Sequence, residues 1–164
     1  MEYYGGMTSQ EPHRGTTAER PQMKPVRIDD VVESEVVTAE PSTSIATVVA
    51  KMAEKNVGSV VVVEDDMPVG ILTDRTIALE LETNPDITDR KAADVISEDL
   101  LTGTTDMSIF DALCRLEEEN VRRLPIVDED GSLVGIVTLD DILVLLGSEL
   151  EYATSIIETQ SARR

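Results

Sequence analysis

The stretch "VVVVEDDMPVGILTDRTI" (residues 60–77) and the stretch "LPIVDEDGSLVGIVTLDDI" (residues 124–142) are two versions of one pattern. Each opens with a short continuous apolar run, at 60–63 or 124–127. Each then passes through an acidic turn and resumes in a second apolar run, at 69–72 or 133–137. Runs this short, bounded by acids and turn residues, suit strands buried on both faces better than helices. The turns "EDDMP" and "DEDGS" fold the second run back on the first as a hairpin. The two versions differ in length by one residue, Gly131, and it falls in the turn.

The likeness extends outward from the hairpins. A shift of 64 positions lays Asp30-Val31-Val32 on Asp94-Val95-Ile96, Val37-Thr38 on Leu101-Thr102, Ser44-Ile45 on Ser108-Ile109 and Asn56-Val57 on Asn120-Val121. Beyond the turn the shift is 65, and Gly70, Ile71 and Thr73 meet Gly135, Ile136 and Thr138. The chain is therefore an internal duplication. Ser44 caps a helix whose apolar positions are Ile45, Val48, Val49 and Met52; Ile109, Ala112, Leu113 and Leu116 repeat that stripe. Second helices are expected near 74–81 and 139–146, so each copy reads β-α-β-β-α behind an entry segment at 28–33 or 91–96. The fold class is α/β (α+β). A unit of about 55 residues buries little apolar surface alone, so the copies are expected to pack about a pseudo-twofold axis, with Ile142, Leu143, Leu145 and Leu146 as seams. The expected division is a flexible tail at 1–24, a first repeat at 25–83, a second at 84–147 and a helical extension at 148–164. In that extension Leu150, Ala153, Ile156 and Ile157 form an amphipathic stretch, and Gly147 either breaks the helix or is carried through it.

Composition removes several classes of function. The net charge of −19 disfavours direct nucleic-acid binding, which needs clustered Lys and Arg, and disfavours an anionic membrane surface. Four Lys stand against ten Arg; so acidic and lysine-poor a chain fits either a salt-loving archaeal source or an acidic mesophilic one. Cys114 is the only cysteine and His13 the only histidine, which leaves no disulfide framework, no thiolate metal cluster and no usual general base. No apolar run approaches membrane-spanning length and no secretion signal opens the chain, so a cytoplasmic protein is expected.

With these residues in view, the chain resembles the tandem cystathionine-β-synthase (CBS) domain pair, the Bateman module, over residues 26 to 147. The resemblance is carried by Asp with an apolar pair, by "VVTAEPSTSI" and "LLTGTTDMSI", and by "LPIVDEDGSLVGIVTLDDI". It implies two composite clefts for adenosine-type ligands: AMP, ADP, ATP or S-adenosylmethionine. Cleft one would use Ile136, Thr138 and Asp141 against Val37, Val57, Gly58 and Ser59, with Arg123 for phosphate. Cleft two would use Ile71, Thr73 and Thr76 against Leu101, Val121 and Arg122. Thr76 stands where the resemblance expects a ribose-gripping Asp, so cleft two is expected to be weak, empty or adapted to a different ligand. The implied protein is a homodimeric regulatory sensor with an unnamed protein target, no required cofactor and no catalytic activity. The alternative is a ligand-independent dimerisation module with vestigial clefts.

Thr138-x-x-Asp141 also has the spacing of a helix capping box, as does Ser108-x-x-Asp111. The acids at 128–130 lack the spacing of a calcium loop, because Gly131 follows too early. No metal site is expected. Arg122 and Arg123 either meet a phosphate or pair with neighbouring acids.

Overall fold

The computed structural model describes residues 27–97 and 99–161, and only the backbone for 159–161. The expected tail at 1–24, with His13, lies outside the described residues. The first repeat comprises β1 (Thr38–Ala39), α1 (Ile45–Lys55), β2 (Ser59–Glu64), β3 (Met67–Thr73) and α2 (Asp74–Thr83). The second comprises β4 (Gly103–Thr104), α3 (Ile109–Glu118), β5 (Arg123–Val127), β6 (Leu133–Thr138) and α4 (Leu139–Ser161). Each copy forms a three-stranded sheet in chain order: the first strand runs parallel to the second, and the second pairs antiparallel with the third.

The duplication reaches atomic detail. The Ser44 and Ser108 hydroxyls accept from the N–H groups of Thr47 and Asp111, capping α1 and α3. Both helices are followed by an asparagine at φ near +50°, Asn56 and Asn120, where an Asn side chain tolerates the left-handed turn. Lys51 Nζ donates to the Thr38 carbonyl in β1, and Arg115 donates to the Thr102 carbonyl just before β4, so each first helix is tied to the start of its own first strand. The hairpin turns differ as their lengths require: Asp65 and Asp66 both take positive φ, whereas Gly131 supplies it in the longer turn.

Each copy builds its own aliphatic core, but the entry segments are exchanged. Ile28, Val31 and Val32 pack with Leu124, Ile126, Val137 and Ile142 of the second repeat. Ala92, Val95 and Ile96 pack with Val60, Val62 and Leu72 of the first. Arg27 bridges to Ser108, and Lys91 to Ser44. Glycines admit these crossings: a Cβ on Gly70 would sit 2.6 Å from Ile96 Cβ, and one on Gly135 would overlap Val32.

One expectation about the last helix is revised. Ile142 is fully buried and Leu145 packs beside it, both on the second repeat's own core, while Leu143 and Leu146 are exposed. The four therefore do not form one seam; the helical turn sends the two pairs in different directions. The helix also continues through Gly147 to Ser161 without a break.

Candidate functional site

An open cleft of about 760 Å³ lies between the two repeats. Its first wall is the β3–α2 junction, with Ile71, Thr73, Arg75 and Thr76. Its second wall comes from the entry segment of the second repeat, with Val95, Ile96, Ser97, Asp99, Leu100 and Leu101, and its third is 119–123 at the start of β5. All six residues assigned from sequence to cleft two line it: Ile71, Thr73, Thr76, Leu101, Val121 and Arg122. The residues expected to form the poorer cleft thus line an open space between the repeats.

Local chemistry explains the arrangement at the β3–α2 junction. Thr73 is the N-cap of α2: its Oγ1 accepts from the Thr76 N–H at 3.0 Å and lies 2.9 Å from Thr76 Oγ1. The Asp74 N–H donates to the Gly58 carbonyl, and in the second repeat the Leu139 N–H donates to the Arg122 carbonyl. Each second helix therefore starts against the beginning of its own central strand.

The residues assigned to cleft one fall into smaller groups. Val37 and Val57 pack against the first core, and the Val37 carbonyl accepts from Val61. Ser59 stands opposite Thr73 across the sheet. Ile136 exchanges two 3.0 Å backbone hydrogen bonds with Glu33 of the crossed-over entry segment. Thr138 and Asp141 form a full capping box: Asp141 N–H donates to Thr138 Oγ1, while Thr138 N–H and Oγ1 both donate to Asp141 Oδ2, the latter at 2.6 Å. Asp141 Oδ1 has no partner among the described residues, so one carboxylate oxygen remains available. Since Thr73 caps α2 with Thr76 at the acid's position, a cap alone does not demand Asp141.

Arg123 joins the two groups. Its guanidinium crosses above Gly58, 2.9 Å from where a Cβ would stand, and it also lines cleft two. Arg123, assigned from sequence to cleft one, therefore touches the neighbourhood of Gly58 and the wall of cleft two at once. Arg122 is held 3.1 Å from Asp140, with both side chains largely exposed. That pairing is one of its two expected readings, and Arg122 also lines the cleft wall. Sequence reasoning missed Arg75, which occupies the repeat position of Asp140. A comparison of charges between the copies would have found it.

Among the described residues, no group of three His, Cys, Asp or Glu could hold a metal ion, and no helix is long and apolar enough to cross a membrane.

Two duplicated α/β halves, exchanging their entry segments and enclosing a composite cleft, define a tandem-repeat module whose site belongs to neither half alone. The chain belongs to the CBS domain family, whose model matches residues 28–83 and 92–148. A Methanopyrus kandleri protein is 38% identical over 125 residues, covering 74% of this chain and 63% of that protein. The CBS domain-containing protein YhcV of Bacillus subtilis is 37% identical over 117 residues, covering 71% of this chain and 83% of YhcV. Among solved structures, CBSX2 in complex with AMP is 26% identical with a TM-score of 0.64, covering 77% of this chain and 98% of CBSX2.

Proposed function

We propose that the chain is a regulatory module that binds an adenosyl ligand (AMP, ADP, ATP or S-adenosylmethionine) between its repeats and passes occupancy to a protein partner. The observation that carries this reading is the inter-repeat cleft, lined by the β3–α2 junction of one copy and by the entry and β5 start of the other. The AMP held by CBSX2 supports the ligand class. Asp141, with one oxygen spare, is the candidate acceptor for ribose hydroxyls in cleft one. Occupancy acts by differential affinity: a ligand touching both repeats favours the relative orientation it fits best.

The exposed apolar residues Leu143, Leu150 and Ile157 on α4 favour a second reading, a ligand-independent dimerisation or interaction module. Thermal shift against AMP, ADP, ATP and S-adenosylmethionine, at low and high salt, separates the two. A ligand at 100 times its Kd stabilises the native state by about 2.7 kcal/mol. No shift with any of the four at millimolar concentration overturns the sensor reading.

A further inference from the structure

The residues assigned to the two clefts occupy equivalent places in the duplication, yet the copies differ in charge at the starts of the central strand and of the second helix. Where the first repeat has Gly58-Ser59, the second has Arg122-Arg123. Where α4 begins with Asp140 and Asp141, α2 has Arg75 and Thr76. All four of Arg75, Thr76, Arg122 and Arg123 line cleft two. Its described wall carries these three arginines against Asp99 and Glu119. The positions equivalent by the repeat carry Glu33, Glu35, Asp140 and Asp141 against Lys55. On a chain of net charge −19, the described wall of cleft two thus holds three arginines to two acids, while the equivalent positions hold four acids to one lysine.

Pairing sharpens the contrast. Among the described residues, the side chains of Arg75 and Arg123 make neither hydrogen bonds nor ion pairs, despite the abundance of acids. Arg122 is engaged only by the exposed Asp140, a contact that solvent weakens and that a phosphate can displace. Thr76 points the same way. It gives its N–H to the Thr73 cap and offers a hydroxyl where Asp141 offers a carboxylate. At the start of α2, cleft two thereby lacks the anionic acceptor that Asp141 supplies at the start of α4.

We propose that cleft two is a polyphosphate site: it takes a nucleoside di- or triphosphate through Arg75, Arg122 and Arg123 and does not read the 2′-hydroxyl. Cleft one, with Asp141 and its surrounding acids, rejects such ligands. This assignment rests on the reading of the chain as an adenosyl-ligand module and makes that reading specific for one cleft.

Isothermal titration of the full chain with ATP, dATP, adenosine and inorganic tripolyphosphate tests it. ATP and dATP should bind within about threefold of each other, tripolyphosphate should compete with ATP, and binding should weaken steeply with salt. Each of Arg75→Gln and Arg123→Gln should lower ATP affinity by roughly tenfold or more, the range of a charge-assisted hydrogen bond. Lys91→Gln, a charge change remote from the cleft, should leave it unaltered. Circular dichroism of each variant confirms that it is folded. A tenfold preference for ATP over dATP, or ATP binding indifferent to both arginine substitutions, overturns the proposal. If adenosine binds and tripolyphosphate does not compete with ATP, the charge assignment fails and the adenosyl reading stands. If none of the four binds, both fail.

Discussion

Gly135→Ala offers a direct test of the exchanged entry segments. A Cβ built on Gly135 overlaps Val32 Cγ2 and lies 3.0 Å from the Glu33 carbonyl oxygen, both in the segment that crosses from the first repeat. Gly135 does not need the left-handed region, so the substitution carries no backbone strain and even gains roughly 0.5–1 kcal/mol by reducing the freedom of the unfolded chain. The overlap opposes this with an overpacking penalty of about 1–3 kcal/mol. A net loss of about 1–2 kcal/mol follows. Val32→Ala alone removes two partly buried methyls and loses about 1 kcal/mol. In the double variant the obstructing Cγ2 is gone, and the remaining 3.0 Å contact needs only a small adjustment. The two losses should therefore overlap rather than add, with a coupling of about 1 kcal/mol. The equivalent pair behaves differently: a Cβ on Gly70 meets Ile96 Cβ itself at 2.6 Å, which Ile96→Ala retains. No rescue is expected there. Urea unfolding of the four variants at each site, with matched m-values, measures both cycles. Additive losses at Gly135 and Val32 would refute the placement of residues 28–33 on β6.

Gly147 sits in α4 with nothing within 4 Å, so Gly147→Ala should raise helical ellipticity and stabilise that helix by about 0.5–1 kcal/mol. Asn56 holds φ +53° after α1; Asn56→Gly should stay within a few tenths of a kcal/mol, whereas Asn56→Ala should lose about 1 kcal/mol in denaturant unfolding. Ser44→Ala should lose about 1 kcal/mol by removing the α1 cap, and Ser44→Asp should restore most of it, as read from melting temperatures.

Much of the fold was legible because its elements are punctuated. Ser44 and Ser108 mark helix starts, Asn56 and Asn120 mark helix ends, and the acidic turns mark hairpins; each signal is local and acts within one turn of chain. The entry exchange was not legible, since Val31-Val32 and Val95-Ile96 satisfy the same apolar demand on either core. Only the three-dimensional path chooses between them. The full wall of cleft two was not legible for a similar reason. Reading Thr76 as the loss of an Asp looks along a single motif, whereas Arg75, Arg122 and Arg123 converge from separate elements. Thr138 and Asp141 form the capping box that their spacing predicts, and that box uses one carboxylate oxygen and leaves the other.

The asymmetry between the clefts extends to their entry segments and makes a final prediction. Glu33 and Ile136 lock the first entry to β6 with two backbone hydrogen bonds. Among the described residues, the equivalent pair Ser97 and Ile71 has no such bridge, and both residues line cleft two instead. The second entry segment is therefore held to the first core by Val95 and Ile96 and to the second by Leu101, while Ser97, Asp99 and Leu100 line the cleft without such a bridge. A ligand that contacts this wall, Thr73 and Arg122 together substitutes for the missing latch and ties the repeats at that edge. The orientation can shift only by the ligand's differential affinity, about 2.7 kcal/mol for a hundredfold preference. Hydrogen exchange with and without ATP reads the effect residue by residue. Without ligand, the Glu33 and Ile136 amides should exchange slowly and the Ser97 amide quickly. Saturating ATP should slow residues 95–101 while leaving 31–37 nearly unchanged. Equal protection of both entry segments by ATP would show that the missing latch does not distinguish the clefts, and protection confined to 31–37 would place the nucleotide on the other side of the axis.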